Sequence, residues 1–357
     1  MKLIHCADLH LDSPLNTHMK GEQAGVRSGE ILRSFVRLTE YARDRGVDAV
    51  VIAGDLFDGE RVKASTVDCV LDAMGQTPKV DYLYLAGNHD GAAGAFSCRE
   101  LPANLRCFTD RWRSFDYPEA VISGIEMTRE NCESLYDGLP RVEGKANIVV
   151  LHGQVGSSCG VDQVNLKLLR DRGISYLALG HLHAYAKERL DDVGFYCYSG
   201  CLEGRGFDEC GEKGFVLAEI EGGSVRTEFV PFSSRRLHRV TVDLSGLTTV
   251  MEAVRALENA SAGISERDMV EYLLCGACDP TADIPVSSLR RLLRSKHFFS
   301  KFKDERRLAL DPADYQNDLS LKGEFIRLVL AGALSDEEKT RVIRMGMEAL
   351  TGGEIAL

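Results

Sequence analysis

Five short polar blocks recur along the chain, and each follows a short apolar run. Their side chains are mainly aspartate, asparagine and histidine, which supply the oxygen and nitrogen ligands that divalent cations bind. The blocks are Asp8-Leu9-His10, Gly54-Asp55-Leu56-Phe57-Asp58, Gly87-Asn88-His89-Asp90, Leu151-His152-Gly153 and Gly180-His181-Leu182-His183. A single block would prove little, but the five together predict a site for a pair of divalent metal ions.

The apolar runs before these blocks are rich in Val, Ile, Leu and Tyr, which is typical of buried strands. They span residues 2–6, 48–53, 80–86, 146–151 and 174–179. If these strands lie in one sheet, their carboxyl ends carry every block, and this edge is where α/β proteins bind ligands. Helical spacing of apolar residues over 28–45 predicts a crossover helix between the first two strands, and 62–75 is the expected second crossover.

The order D-x-H, G-D-x-x-D, G-N-H-D, H and G-H-x-H resembles the calcineurin-like metallophosphoesterase superfamily. Within it, the segments HCADLHLDSP (5–14) and AGDLFD (53–58) are most similar to the nuclease subunit of bacterial SbcCD-type DNA repair complexes, particularly its YhaO-like branch. The superfamily pattern covers residues 1 to about 232. The resemblance implies an α/β fold, with a β-sandwich flanked by helices, a small α+β capping domain and C-terminal helices.

The resemblance also implies which side chains hold the metal. The implied ligands of one ion are Asp8, His10, Asp55 and His183. The implied ligands of the second ion are Asp55, Asn88, His152 and His181, so that Asp55 bridges the two ions. Such a pair can clamp a phosphate and lower the pKa of bound water, so that hydroxide attacks the phosphorus. Mn²⁺ is the implied metal, and the donor set, which lacks thiolate, also suits Fe²⁺ or Zn²⁺.

Three other side chains in these blocks have roles that the sequence leaves open. His89 is not a ligand in the family scheme, and its place after Asn88 lets it face the phosphate and donate a proton to the leaving oxygen. Asp90 could orient His89, or it could be a turn or helix-cap residue. Asp58 could support a ligand, or it could be a solvated loop carboxylate.

Glycine precedes a ligand in three of the blocks, at Gly54, Gly87 and Gly180. A strand must turn abruptly at these places, and glycine tolerates the backbone angles that such turns require. We therefore expect substitution of these glycines to misplace ligands rather than to remove them.

The length of 357 residues and the 44% apolar content predict two domains and a tail. We expect a dinuclear-metal phosphoesterase domain over 1–235, an α+β capping domain that binds DNA over 236–310, and a linker with C-terminal helices over 311–357.

The chain has neither a signal-peptide pattern at its start nor an apolar run of about 18 residues, so we expect a cytoplasmic protein without a membrane segment. Its 11 cysteines are expected to be reduced. Cys275 and Cys278 form one C-x-x-C motif without a second such motif, so we interpret them as structural rather than zinc-binding or redox-active.

The net charge of −11 divides into −9 for residues 1–235 and −2 for 236–357, from 26 against 35 and 17 against 19 basic and acidic residues. This balance excludes a broad basic groove but leaves local basic runs. Residues 288–307 combine eight Lys and Arg residues with three phenylalanines, which could contact phosphates and bases. The alternative, which we favour, is a helix with Leu289, Leu292 and Leu293 inward, followed by a strand with a solvated basic face. The candidate DNA contacts are Arg290, Arg291, Lys296 and, in the loop 204–214, Arg205; a flexible hairpin is the favoured interpretation of that loop.

The tail is predicted to form two helices, 322–331 and 335–350, with a capping box from Ser335 to Glu338 at the start of the second. The resemblance implies that this tail binds an SbcC-like coiled-coil ATPase. An intramolecular helical hairpin is an equal alternative, because periodicity shows that a face is buried but not against what. The apolar residues in question are Phe325, Ile326, Leu328, Val329, Leu330, Val342, Ile343, Met345, Met347 and Leu350. A homodimer is also left open.

These observations predict a Mn²⁺-dependent phosphodiesterase acting on DNA, as an exonuclease to which single-strand endonuclease activity could be added. Its partners would be DNA and the ATPase subunit. One alternative is a small-substrate enzyme of the same superfamily, such as a cyclic-nucleotide phosphodiesterase or a phosphatase. Another is a non-catalytic scaffold, although the complete ligand set and the presence of His89 argue against it.

Overall fold

The computed structural model describes residues 1–15, 19–59, 62–90, 96, 99–278, 282, 284–309 and 315–350. The chain divides into two compact units, Met1–Arg236 and Leu237–Leu357. The predicted boundary between 310 and 311 lies outside the described residues and stays a prediction. None of the helices in the described part of the chain has the length and apolar composition needed to span a lipid bilayer.

The first unit is built mainly of strands. They are β1 (Lys2–Cys6), β2 (Ala49–Ala53), β3 (Asp81–Leu85), β4 (Leu105–Cys107), β5 (Arg113–Asp116), β6 (Ala120–Gly124), β7 (Ala146–His152), β8 (Gln154–Gly156), β9 (Gln163–Asn165), β10 (Tyr176–Gly180), β11 (Ala186–Arg189), β12 (Phe195–Tyr198), β13 (Gly214–Glu221) and β14 (Ser224–Pro231). The helices are α1 (Gly21–Asp44), α2 (Ala64–Gly75) and α3 (Leu166–Leu169), with a 3₁₀ turn at Leu135–Gly138.

These strands form two six-stranded sheets, ordered β14-β13-β1-β2-β3-β4 and β11-β12-β10-β7-β6-β5. The strands β1 to β4 are parallel, as are β6, β7, β10 and β12, with antiparallel strands at the edges. The five apolar runs do not all share one sheet, since β7 and β10 belong to the second sheet. Strands buried on both faces are continuous apolar runs in either sheet, so their pattern cannot assign them.

The two sheets pack face to face around an apolar core. Successive residues of a strand point to opposite faces, so every second residue of a strand faces this core. Leu3 and Val51 of the first sheet share this core with Ile148 and Ala178 of the second. The neighbouring residues of β1 and β2 lie in a different cluster with Phe35, Val70 and other residues of α1 and α2. The predicted fold class, a sandwich flanked by helices, is thus confirmed.

Two local predictions differ from the structure. The helix α1 begins at Gly21, seven residues before the predicted start at 28, because the segment 21–27 has few apolar residues to reveal a helical period. The alternating run 194–199 predicts an antiparallel closing strand. Instead, β12 pairs parallel with β10 and antiparallel only with β11.

The second unit has a parallel sheet of three strands in the order β15-β16-β18. Its elements are β15 (Leu237–Asp243), α4 (Val250–Ala260), β16 (Met269–Cys275), β17 (Ala277–Cys278), α5 (Val286–Leu292), β18 (Phe299–Asp304), β19 (Arg307–Leu308), α6 (Leu321–Ala331) and α7 (Asp336–Leu350). Residues of α4 and α5 share a core with one face of this sheet. The predicted capping box is confirmed, since Ser335 N–H donates to Glu338 Oε2 (2.9 Å) and Glu338 N–H to Ser335 Oγ (3.3 Å).

The helices α6 and α7 pack on each other through a small apolar cluster. Ile326, Ile343 and Met347 are its buried members, with Phe325 and Val329 packed against them. An intramolecular hairpin therefore accounts for part of the apolar set. Leu328 remains 65% exposed and is not used by this cluster.

Candidate metal centre

The ligand loops of the first unit are joined to one another by backbone hydrogen bonds. Asp8 N–H donates to the Gly54 carbonyl (3.0 Å), and His10 N–H donates to the Asp55 carbonyl (2.9 Å). The loops after β1 and β2 therefore behave as one piece. His152 ends β7 and His181 directly follows β10, so side chains from both sheets meet at the carboxyl ends of their strands.

Several candidate ligands have a backbone conformation that is rare for residues with a side chain. The φ angles are +54° at Asp8, +45° at His10, +54° at Asp55 and +104° at His181. Each such residue costs on the order of 1–3 kcal/mol and persists only where the surrounding structure enforces it. Strain of this kind clusters at functional sites, and here it coincides with the polar blocks.

Asp8, His10 and His183 form the first group of possible ligands. One ligand atom from each residue lies within 4.8 Å of the others. The Nε2 atoms of His10 and His183 are 3.2 Å apart. Two ring nitrogens that face each other in this way need a proton or a cation between them.

Asp8, Asp55 and His152 form the second group, by the same distance criterion. His152 Nδ1 lies 2.9 Å from the Ala53 carbonyl, which can only accept, so Nδ1 carries a proton and Nε2 is the ring nitrogen that faces the other candidate ligands. That Nε2 lies 3.0 Å from Asn88 Oδ1 and 3.4 Å from Asp55 Oδ2. The same Asp55 oxygen is 3.6 Å from His10 Nε2. The Asp55 carboxylate therefore lies within reach of both groups.

His181 is placed differently from the other predicted ligands. Its ring is half-buried and lies 5.4 Å, centroid to centroid, from the His152 ring. It belongs to neither three-residue group, and its backbone N–H donates to the Asp8 carboxylate (2.9 Å). Its place as a ligand of the second ion stays a prediction.

The residues present fit a pair of divalent cations. The set combines carboxylate, amide and imidazole donors without thiolate, which suits Mn²⁺, Fe²⁺ or Zn²⁺. His10 Nδ1 is buried without a hydrogen bond, and Asp58 Oδ1, at 3.4 Å, does not meet hydrogen-bond geometry. His10 Nε2 thus faces His183 Nε2 and an Asp55 oxygen, and a proton or a metal cation between these atoms would offset their mutual repulsion.

Burial and mutual charge shift the pKa values of these groups in opposite directions. Burial lowers the pKa of His10 to about 4, and the nearby Arg205 guanidinium acts in the same sense. Burial also disfavours charged His152, but the contact with Asp55, the nearby Asp8 carboxylate and the Ala53 carbonyl together outweigh burial and raise the pKa of His152 to about 9. Burial would raise the pKa of Asp55, yet His152, His10 and the hydrogen bond from the His89 N–H together lower it to about 2. The pKa of Asp8 rises to about 6, chiefly through burial.

His89 is oriented by Asp58 rather than by Asp90. Asp58 Oδ1 lies 2.7 Å from His89 Nδ1, and the His89 side chain is 48% exposed. Asp90 is buried and instead accepts backbone N–H groups of Phe57 (2.8 Å) and Gly87 (2.9 Å). Asp90 therefore ties two ligand loops together, and burial raises its pKa to about 6. Of the two alternatives for Asp58, its contact with His89 favours a supporting role over that of a solvated loop carboxylate.

The three glycines are needed for two different reasons. Gly54 has a φ of +95°, as expected for a sharp turn. Gly87 and Gly180 do not have positive φ, so the predicted reason is wrong for them. A Cβ at Gly87 would overlap the Asp55 carboxylate, and one at Gly180 would overlap the Ala53 carbonyl. Close approach of the ligand loops, rather than backbone angle, requires glycine there.

The sequence did not indicate a role for Glu209, and the structure gives Arg205 a different environment from the one that the sequence predicts. Glu209 is 7% exposed, and its Oε1 lies 2.7 Å from His183 Nδ1. Arg205 is also 7% exposed and donates to Glu209 (2.9 Å). The segment 201–207 is buried, so it is not an exposed hairpin, and the packing of Arg205 indicates support of His183 rather than an open DNA surface. Glu209 lies 26 residues beyond His183, outside the recognised blocks, so no signal marked it.

The basic residues of the second unit are on α5 and just after it. Arg290 and Arg291 are exposed, whereas Lys296 is half-buried and donates to the Glu258 carbonyl (3.4 Å). Leu289 and Leu293 are buried as predicted, but Leu292 is 49% exposed, because α5 ends there and its last turn points that side chain to solvent. Contact of these cations with DNA stays a prediction.

Phe302, Cys275 and Cys278 make structural contacts within the second unit. Phe302 is buried and stacks on Tyr272, with ring centroids 5.2 Å apart. Cys275 and Cys278 donate to the backbone carbonyls of Val242 (3.5 Å) and Leu244 (3.7 Å). These contacts fit the interpretation of the two cysteines as structural thiols.

Comparison with known proteins gives the family of the chain. The model of the calcineurin-like phosphoesterase family matches residues 1–185 of the 357. The DNA double-strand break repair protein Mre11 of Methanopyrus kandleri is 27% identical over 68% of this chain and 59% of its own length. The uncharacterized metallophosphoesterase YhaO of Bacillus subtilis is 25% identical over 75% of this chain and 69% of that protein. Mre11 of Aeropyrum pernix is 24% identical over 83% and 76% respectively.

The chain thus spans about three-fifths of the Methanopyrus protein. The matched residues 1–185 include all five polar blocks, and the family they define binds two divalent metal ions. The chain belongs to the calcineurin-like phosphoesterase family, with Mre11 and YhaO proteins among its relatives.

Proposed function

We propose that this protein is a Mn²⁺-dependent DNA nuclease that hydrolyses phosphodiester bonds with two metal ions. The observation that carries the proposal is the position of the Asp55 carboxylate, whose Oδ2 is 3.6 Å from His10 and 3.4 Å from His152. One carboxylate between two groups of imidazole and carboxylate ligands is the arrangement that a bridged metal pair requires.

The bound ions would supply Lewis acidity toward a phosphate oxygen and ease deprotonation of a water. The protein supplies the rest through its own side chains. Asp58 accepts a hydrogen bond from His89 Nδ1 and so leaves His89 Nε2 directed away from that carboxylate. Because about half of the His89 side chain is exposed, Nε2 can reach a substrate. When the ring carries a proton on both nitrogens, Nε2 can donate its proton to the leaving oxygen while Nδ1 keeps its hydrogen bond to Asp58.

The choice of DNA as substrate is supported by the relatives, two of which are named as DNA double-strand break repair proteins. Arg290 and Arg291 on α5 are exposed cations that can pair with backbone phosphates. The net charge of −11 argues against a chain that grips DNA by itself. We therefore assign part of the DNA grip to a partner subunit.

The test is to supply the purified chain with Mn²⁺ or with EDTA and four substrates. These are end-labelled duplex DNA, circular single-stranded DNA, a cyclic dinucleotide and an aryl phosphate diester. We expect Mn²⁺-dependent shortening of the labelled duplex, with the circular DNA reporting endonuclease activity. Hydrolysis confined to the two small substrates would overturn the nuclease assignment, and cleavage that continues in EDTA would overturn the metal dependence.

We further propose that the chain is the nuclease subunit of an SbcCD-like complex and that α6 and α7 bind the coiled-coil ATPase. Leu321 and Leu328 are 71% and 65% exposed, whereas Ile326 is buried in the helical hairpin. Substitution of Leu321 and Leu328 by aspartate should abolish co-purification with an SbcC-like ATPase while leaving the aryl phosphodiesterase activity unchanged. Undiminished binding by this variant, or by a chain that ends at residue 310, would refute the docking role.

A further inference from the structure

A segment of the first unit, residues 201–213, holds His183 at both its ring and its backbone. Glu209 Oε1 lies 2.7 Å from the ring nitrogen Nδ1. Lys213 Nζ donates to the His183 carbonyl (2.6 Å), and Cys201 N–H donates to the same oxygen (3.4 Å). Three residues that are distant from His183 in sequence thus converge on this one candidate ligand.

Glu209 is itself fixed by Arg205. The guanidinium Nη2 of Arg205 donates to Glu209 Oε1 (2.9 Å), and the Arg205 backbone N–H donates to Glu209 Oε2 (2.7 Å). Arg205 Nη1 also donates to Ser13 Oγ (3.2 Å), in the loop that follows His10. With both of its oxygens engaged and only 7% exposure, the Glu209 carboxylate cannot rotate freely.

This contact decides which nitrogen of His183 is free. An ionised carboxylate can only accept, so His183 Nδ1 must carry the proton that it donates to Glu209. Arg205 Nη2 is 3.3 Å from the same Nδ1, but a protonated Nδ1 cannot accept from it. His183 Nε2 is then left with its lone pair, at 3.2 Å from His10 Nε2 in the first ligand group.

We propose that Glu209, held by Arg205, is a positioning residue that fixes the ring orientation and tautomer of His183 for metal binding. The inference rests on the proposed metal centre and names the residue that prepares one of its ligands. His152 has its Nδ1 held by a backbone carbonyl, and His10 Nδ1 is without a hydrogen bond. Among these three imidazoles, His183 is therefore the one whose ring orientation and tautomer depend on a carboxylate side chain.

The experiment compares the variant Glu209→Gln with the matched control Glu203→Gln. Glu203 is 2% exposed and lies in the same segment, but its described partners, Arg27, Ser34 and the Ser234 N–H, are not candidate ligands. Calorimetric titration with Mn²⁺ should give two ions per wild-type chain. We expect Glu209→Gln to weaken one of them by about 10- to 100-fold. Glu203→Gln should change neither affinity by more than about two-fold.

A second readout needs no metal, and its decisive measurement is made on the wild-type protein. In ¹⁵N-histidine spectra of the metal-free wild-type protein at alkaline pH, we expect neutral His183 to show the Nδ1–H form. Glu209→Gln should introduce a mixture of both tautomers. The Nε2–H form in the wild-type protein would overturn the inference even if the variant failed to fold.

The outcomes separate this inference from the proposed function. A wild-type chain that binds no Mn²⁺ contradicts the metal centre itself. A wild-type chain that binds two ions, together with unchanged affinities in Glu209→Gln, contradicts only the positioning role. Equal losses in Glu209→Gln and Glu203→Gln would show general damage to the segment and would also refute the specific role of Glu209.

Discussion

The substitution Gly87→Ala tests whether the positions of the candidate metal ligands depend on the close approach of the loops that carry Gly87 and Asp55. A Cβ on residue 87 would lie 2.6 Å from the Asp55 backbone nitrogen and 2.8 Å from its Cγ, where real Cβ contacts are essentially never under 3.0 Å. The neighbouring atoms must therefore move by at least about 0.4 Å, and the Asp55 carboxylate is among them. Misplacement of a reacting group by about 1 Å can cost about 10²-fold in rate.

We expect Gly87→Ala to lose about 1–3 kcal/mol of stability through overpacking and to lose roughly 10²-fold in Mn²⁺-dependent phosphodiesterase activity. The assays are urea denaturation of the metal-free protein and initial rates with an aryl phosphate diester. The control is Gly25→Ala on α1, where an added Cβ meets nothing within 4 Å. This control should gain about 0.5–1 kcal/mol and keep its activity. Wild-type rates in Gly87→Ala would refute the steric reasoning.

Three further results follow from the geometry of the site. His89→Ala should keep both metal ions but lose about 10²- to 10⁴-fold in kcat, and normal turnover would rule out its role as the acid. Asp58→Asn should lower kcat less than His89→Ala does, because it disturbs only the orientation of His89, and the two losses should not add in the double variant. Since the pKa of His152 is raised to about 9 in the metal-free site, Mn²⁺ must displace a proton at neutral pH. Mn²⁺ affinity should then rise by about ten-fold per pH unit up to pH 9, and a pH-independent affinity between 6 and 9 would contradict this assignment.

The strand positions could be predicted from the sequence because buried strands are short, continuous apolar runs. The run 2–6 coincides with β1, and the other four runs match β2, β3, β7 and β10 to within two residues. The assignment of β7 and β10 to a second sheet could not be predicted, because a strand buried on both faces shows the same pattern in either sheet. Only the pairing of strands distant in sequence resolves it.

The roles of the supporting side chains were less accessible to sequence reasoning than the ligands. Asp58 and Asp90 are both carboxylates near His89, and only their contacts show that Asp58 meets the ring while Asp90 meets backbone N–H groups. Glu209 lies outside the motifs and reaches His183 only because the segment 201–213 folds under it. Such contacts depend on the tertiary path of a loop, which leaves no periodic signal in the sequence.

We propose that the Asp55 carboxylate bridges two metal ions held by side chains from both sheets. Anomalous diffraction at the manganese edge, from crystals soaked in Mn²⁺, tests this proposal. We predict two peaks about 3.5–4 Å apart, one beside Asp8, His10 and His183 and the other beside Asn88 and His152, with the Asp55 carboxylate between them. A single peak, or two peaks without Asp55 between them, would contradict the claim.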